Sequence, residues 1–445
     1  MQEKEQRIGV EEQDEDSFEF VIEKIKERPI NKRKLLRRTI ITAMMALVFG
    51  LIACITFFFL EPIISNWLYP EKEPEVVTFP EEQEETMPED MAQTDNDLPG
   101  AEDEQMSAPP QEITVYEKVE LTPQDYVKLY NELAVIAGNM QKSMVIVSGV
   151  TADTDLFNDV YENEARSSGL IVADNGIELL ILATESKIHD YRQVMITFHD
   201  GSMVEAVKKQ SDPNTGLCIL GVRLVNMSAG TRESAVPATL GSSNSLSLLG
   251  APIIAVGSPT GINGSVCYGM ITSNSSSINL VDANYRLLTT DIYGNVGATG
   301  VLINLAGQVI GIIDNTYNAS DMQNQISAIG ITELKQTIEA MSNEKIRASI
   351  GIHGVDITAA ISESLQMPRG VCVQSFEMGS PAMICGIQGN DIITGIGVSV
   401  INNMGDLTRA LYQYEPGDVV TVTLQRKAQE TYRTMEVEVT LSALK

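Results

Sequence analysis

From Ser143 onward the chain is divided into short apolar runs set apart by Gly, Asn, Asp and Ser: "SMVIVSGV", "SGLIVADNGIELLILA", "QVMITF", "LCILGVRL", "APIIAVGS" and "GSVCYGMITS". Runs of this length, rich in Val and Ile, are strands. In "QVMITF", Val194, Ile196 and Phe198 fall on one face, and Asp200-Gly201 supplies a tight hairpin turn. No helical pattern lies between these runs, so the crossovers of a parallel sheet are missing. The pattern predicts an antiparallel barrel or sandwich.

Helical spacing occurs on either side of this region. "TPQDYVKLYNELAVIAGNM" precedes it and begins with Thr-Pro, a helix-start signal. After about Arg347 the strands "SIGIHGVDIT", "GVCVQSF", "DIITGIGVSV" and "VVTVTLQR" surround "MGDLTRALYQY", an amphipathic helix with Leu407 and Leu411 at i, i+4. This is a second compact module of mixed strand and helix.

Residues 39–60, "TIITAMMALVFGLIACITFFFL", are 22 residues without a charge. At ~1.5 Å per residue they match a ~30 Å hydrocarbon core, so a transmembrane helix is expected. Eight Lys/Arg lie between Lys24 and Arg38, and Glu61 and an acidic tract follow the span. Positive charge stays on the cytoplasmic side, so residues 1–38 read as a cytoplasmic tail and the bulk as extracytoplasmic. Trp67 and Tyr69 fit an interfacial anchor. Residues 61–112 carry sixteen Asp/Glu against one Lys, and seven prolines lie between 70 and 112. Such a segment is expected to be a disordered, charge-extended stalk.

A net charge of −29 gives no reason to expect nucleic-acid binding. The five cysteines, Cys54, Cys218, Cys267, Cys372 and Cys385, show neither metal spacing nor a disulfide framework. His189, His199 and His353 are too few and too dispersed for a metal site. Neither a metal nor another cofactor is expected.

The stretch "DIYGNVGATGVLINLAGQVIGII", Asp291–Ile313, is a glycine-spaced loop followed by two strands. Together with "AVGSPTGINGSVCYGMITS", "TTD", "SIGI", "MPRGV", "GSPAMICGIQGNDII" and "YEPGD", in this order, it closely resembles the HtrA/Deg family of trypsin-like serine proteases with a C-terminal PDZ domain. The resemblance covers roughly 120–445. It implies a mainly β chain: a chymotrypsin-like double antiparallel β-barrel over 113–342 and a PDZ domain over 346–445.

The resemblance also locates the triad positions. The family's histidine follows an Ile-Leu-Thr strand, and that position is Ser186 in "ILATESKIH". Its aspartate precedes a leucine, and that position is Gly216 in "TGLC". Its nucleophile, counted back from "VLIN", falls on Ala298, with Val296 or Thr299 as neighbouring placements. Ala has no nucleophile, Gly cannot orient an imidazole, and Ser is no base at neutral pH. The expectation is a pseudoprotease. The alternative is an active serine-type endopeptidase using Thr299 as nucleophile and His189 as base.

In the PDZ module the resemblance makes Ser349, Ile350, Gly351 and Ile352 the loop that holds a peptide's terminal carboxylate on backbone N–H groups. Leu407, Ala410 and Leu411 are expected to line the groove. The expected partners are polypeptide C-termini or unfolded segments, in envelope quality control or scaffolding, and the resemblance implies a possible homotrimer. A purely structural envelope protein is a third reading.

Overall fold

The computed structural model describes residues 36–37, 40–52, 56, 74–80, 122–154, 160–188, 193–429 and 431–444. The chain divides into two units, Met1–Lys72 and Glu73–Lys445. In the first unit, residues 40–52 are helical. Among the described residues no helix is long and apolar enough to cross a membrane. Part of the expected span 39–60 lies outside the described residues.

The second unit contains two closed six-stranded barrels. In the first, β1 (Met144–Thr154), β2 (Val160–Asp174), β3 (Glu178–Thr184), β4 (Gln193–Thr197), β5 (Met203–Asp212) and β6 (Leu217–Arg223) pair in the order β1-β2-β3-β6-β5-β4. In the second, β7 (Pro252–Ser258), β8 (Ser265–Leu280), β9 (Ala283–Tyr293), β10 (Thr299–Ile303), β11 (Val309–Ile313) and β12 (Gln325–Gly330) pair as β10-β11-β12-β9-β8-β7. Every pairing within the barrels is antiparallel. The expected Asp200-Gly201 turn is present, with Gly201 at φ 82° and Phe198 N–H bonded to Ser202 O at 2.9 Å.

The uninterrupted apolar runs have a physical reason. In β3, Leu179, Ile181 and Ala183 fill the interior of the first barrel, while Leu180 and Leu182 face a second cluster between the barrels. In β7, Ile253 and Ala255 fill the second barrel, and Ile254 and Val256 face the same inter-barrel cluster. A strand buried on both faces keeps its period of two but has no polar face to show it. Each fully buried Leu or Ile contributes ~1.5–3 kcal/mol, which sets these two strands as the seam of the molecule.

Two helices complete the inter-barrel cluster. Helix α1 (Pro123–Gln141) starts where the sequence predicts: Thr122 N–H donates to Asp125 Oδ2 at 3.0 Å, with Pro123 at the first helical position. It buries Ala137 and Met140. Helix α2 (Ile331–Ser342) buries Leu334, Ile338 and Met341 in the same cluster.

Residues 74–80 fall inside the stretch read as disordered stalk, yet they dock on the barrels. Val77 is buried, its N–H donates to Asn343 Oδ1 at 3.1 Å, and its carbonyl accepts from Asn343 Nδ2 at 2.8 Å. Phe79 N–H donates to Glu339 Oε2 at 3.0 Å. The short apolar sequence "VVTF" buries Val77 and, in part, Phe79, which an average over an acidic tract conceals.

The PDZ domain forms a sheet of β14 (Ile352–Ile357), β15 (Gly370–Phe376), β16 (Ile392–Ile396), β18 (Val419–Ala428) and β19 (Thr431–Thr440), with β17 (Ser399–Val400) on β16. A two-stranded ladder joins β13 (Ala348–Ser349) to β20 (Ser442–Ala443). Helix α3 (Met404–Leu411) is capped by Asn403, whose side chain accepts from Asp406 N–H at 2.8 Å. Its buried face is Met404, Leu407, Ala410 and Leu411.

Candidate functional site

The three positions matched to the triad lie on segments that approach one another at the seam. Ser186 sits on a single 3-10 turn, Glu185–Lys187, at the end of β3, with its side chain exposed. Gly216 immediately precedes β6, and its carbonyl accepts from Glu185 N–H at 2.8 Å. Ala298 is buried just before β10. The 3-10 turn reaches the loop before β10: Lys187 Nζ lies 3.6 Å from where a Cβ on Gly297 would stand. His189 lies outside the described residues.

What this cluster can do follows from its atoms. Gly216 has φ 65°, a left-handed conformation that costs an L-residue roughly 1–2 kcal/mol. A working site holds the developing oxyanion on the nucleophile's own N–H and on that of the residue two before it. Here the Ala298 N–H donates to Asn295 O at 3.0 Å, and Gly297 N–H donates to Asn295 Oδ1 at 2.8 Å. The loop closes on itself. The Thr299 hydroxyl is buried and accepts from Ser168 N–H at 2.9 Å, across the seam. Among the described residues, no hydroxyl is hydrogen-bonded to a histidine ring. His353 Nε2 lies 2.9 Å from Glu377 in the PDZ domain.

The seam holds a cavity of about 10 Å³, lined by residues that include Ser168, Thr184, Leu217, Gly300 and Ile313. That is room for about one water. Cys218, next to Leu217, is no substitute nucleophile: burial pushes its thiol up to about 12, and Glu185 adds to the rise. Burial likewise raises Cys267 and Cys372. Among the described residues, no cluster of His, Cys, Asp or Glu is placed to hold a metal ion.

The PDZ loop is different, because it holds a carboxylate. Asp282 lies in the β8–β9 turn of the second barrel and is fully buried. Its Oδ2 accepts from Ile350 N–H and Gly351 N–H, both at 2.9 Å, and from the Ser349 hydroxyl at 2.6 Å. Its Oδ1 accepts from Ile352 N–H at 2.9 Å. Gly351 has φ 78°, and a Cβ there would collide with Ser380. The turn that aims successive N–H groups at one anion therefore requires glycine.

The backbone of Asp282 is held as firmly. Its N–H donates to Ile352 O at 2.8 Å, and its carbonyl accepts from Thr408 Oγ1, on α3, at 2.8 Å. Asn284 Nδ2 donates to Gly354 O at 3.1 Å, and Arg347 Nη2 to Val281 O at 2.8 Å.

The structure brings Ser349, Ile350, Gly351 and Ile352 together as one loop. The side chains of Ile350, Ile352, Leu407, Ala410 and Leu411 all belong to the PDZ core. The residues missed by reading the sequence are Asp282 and Thr408. "VDANY" reads as an ordinary hairpin turn, and nothing local signals that it meets a loop 68 residues further on.

This geometry agrees with comparisons to known proteins. Residues 167–312 match the trypsin-like peptidase domain, and residues 348–439 match the PDZ domain. The serine protease Do-like HtrA of Lactococcus lactis subsp. cremoris is 26% identical over 328 residues, covering 69% of this chain and 79% of that protein. The chain is homologous to the HtrA/DegP family proteins. Among its homologues, a Brucella suis protein named "Probable periplasmic serine endoprotease DegP-like" is 25% identical over 63% of this chain and 53% of its own length. A solved structure of the HtrA-type protease AlgW, in a variant form with a tripeptide, superimposes with a TM-score of 0.50 at 20% identity, covering 70% of this chain and 96% of that one. That last likeness is one of fold.

Proposed function

We propose that this HtrA homologue is a membrane-tethered, extracytoplasmic pseudoprotease whose PDZ domain binds polypeptide C-termini, serving envelope quality control or scaffolding. The observation that carries the reading is the loop itself: three consecutive backbone N–H groups and the Ser349 hydroxyl already hold a carboxylate at 2.6–2.9 Å. A chain terminus offers the same anion, and its backbone can add to β14 as a strand. The loss of hydrolysis is supported by Ala298, Gly216 and Ser186 at the seam and by the Ala298 N–H turned into its own loop. The membrane tether rests on the uncharged residues 39–60 and the basic flank before them. The homotrimer is carried by resemblance alone.

An active endopeptidase using Thr299 is disfavoured by its buried hydroxyl, which accepts a hydrogen bond from Ser168 N–H. The test uses full-length protein. A fluorophosphonate probe should not label it, and unfolded casein should stay intact. Fluorescent peptides with a free C-terminus should bind saturably and their amidated forms should not. Fluorophosphonate labelling lost on Thr299→Ala, or equal binding of free and amidated peptides, would each overturn its half of the reading.

A further inference from the structure

The geometry points to a partner already seated in the PDZ site: we infer that Asp282 is a built-in surrogate for a chain terminus, and that a ligand enters only by displacing the β8–β9 turn. This deepens the reading of the PDZ domain as a carboxylate-binding module and rests on it.

The substitution is close at each contact a terminus needs. The anion requires the N–H groups of the loop, and all three, from Ile350, Gly351 and Ile352, point at Asp282. Strand addition requires acceptors along β14. Ile352 O is bonded to Asp282 N–H, and Gly354 O to Asn284 Nδ2. The opposite wall of the groove contributes Thr408 Oγ1, which donates to Asp282 O. A side-chain carboxylate with an extended-strand contact beside it thus reproduces a bound terminus, and two anions cannot share the same donors.

The turn is also shaped for the task. Asp282 has φ 52°, a left-handed conformation among the few tolerated by Asp and Asn. Its neighbours Val281 and Asn284 are held by Arg347 and by the β14 backbone, so the tip is presented rigidly. Arg347 lies at the start of the PDZ domain and Val281 on the barrel, so release of the turn loosens the contact between the two domains. Binding of a terminus and undocking of the PDZ domain are therefore one event.

The test compares full-length wild type with Asp282→Gly, which keeps the left-handed turn, and Asp282→Asn, which keeps the shape and removes the charge. Hydrogen exchange is read at the Ile350, Gly351 and Ile352 amides, and affinity with a fluorescent peptide bearing a free C-terminus. The expected result is strong amide protection in the wild type, faster exchange in both variants, and peptide binding tighter by about 10-fold or more in Asp282→Gly, the scale of one charge-assisted hydrogen bond. Peptide should restore the lost protection.

Unchanged exchange in both variants overturns the internal contact, whatever the peptides do. Faster exchange with equal peptide affinity in wild type and variants overturns the competition. Faster exchange with no peptide bound by any form leaves the internal contact standing and instead overturns the reading of the site as a receptor for external termini. If Asp282→Gly does not fold, Asp282→Asn carries the same comparisons.

Discussion

The loop before β10 and the loop before β14 both present backbone N–H groups suited to an oxygen anion, and in both those groups already have acceptors. At the seam, Ala298 N–H bonds to Asn295 O, three residues away within one turn. In the PDZ domain, the Ile350, Gly351 and Ile352 N–H groups bond to Asp282, from another domain. A turn satisfied by its own residues can be opened only by remodelling its backbone. A loop satisfied from a distance opens when two domains part. On the reading proposed above, the first arrangement gives up a site and the second keeps one in reserve.

The largest expected effect tests the seam. Loss of nucleophile or base in a triad costs about 10⁶-fold in turnover. Ala298→Ser on its own should therefore remain silent to fluorophosphonate and to short esters, because neither base nor oxyanion donor returns with the hydroxyl. Labelling of that single variant would show that the seam is a reserve site too, and the contrast would fall.

Gly351→Val addresses the other loop. The new side chain meets Ser380 and must adopt a positive φ, so a loss of roughly 2–5 kcal/mol in urea unfolding is expected, together with faster exchange at Ile350 and Ile352. A neutral result would mean that the loop does not need its present shape to hold Asp282.

Thr299→Ala strands the buried Ser168 N–H and should cost about 1–3 kcal/mol in the same unfolding assay, with no change in hydrolysis. Gly216→Ala should cost about 1 kcal/mol, since a Cβ there meets nothing within 4 Å and only the positive φ opposes it. If the two rank the other way, backbone conformation rather than cross-seam bonding holds the barrels closed. Cys218 gives the smallest signal. Pushed up to about 12, roughly 10⁻⁴ of its thiol is ionised at pH 8, so mass spectrometry after alkylation should find it unmodified in the native protein.

How far the sequence speaks depends on whether the acceptor is local. The strand runs, the Thr122 cap and the Asp200-Gly201 turn are set by neighbours within a few residues, and each is legible. Gly216 and Ala298 were legible as departures from a family pattern, because their meaning is an absence of chemistry. Asp282 was not, because its role depends on a contact with a loop 68 residues later in the chain. The docking of Val77 against Asn343, separated by 266 residues, was hidden for the same reason.

A tethered carboxylate is a competitor whose supply never changes. An intramolecular ligand acts at an effective concentration on the order of millimolar. On the inference that Asp282 competes with external termini, it would set a fixed threshold against which each is weighed, and scarce fragments of ordinary affinity would fall beneath it. Only termini that are crowded together, or that gain further contacts along β14, would rise above it. In this sense the β8–β9 turn would make the PDZ domain a detector of abundance, silent at low levels of exposed chain ends and responsive when they accumulate.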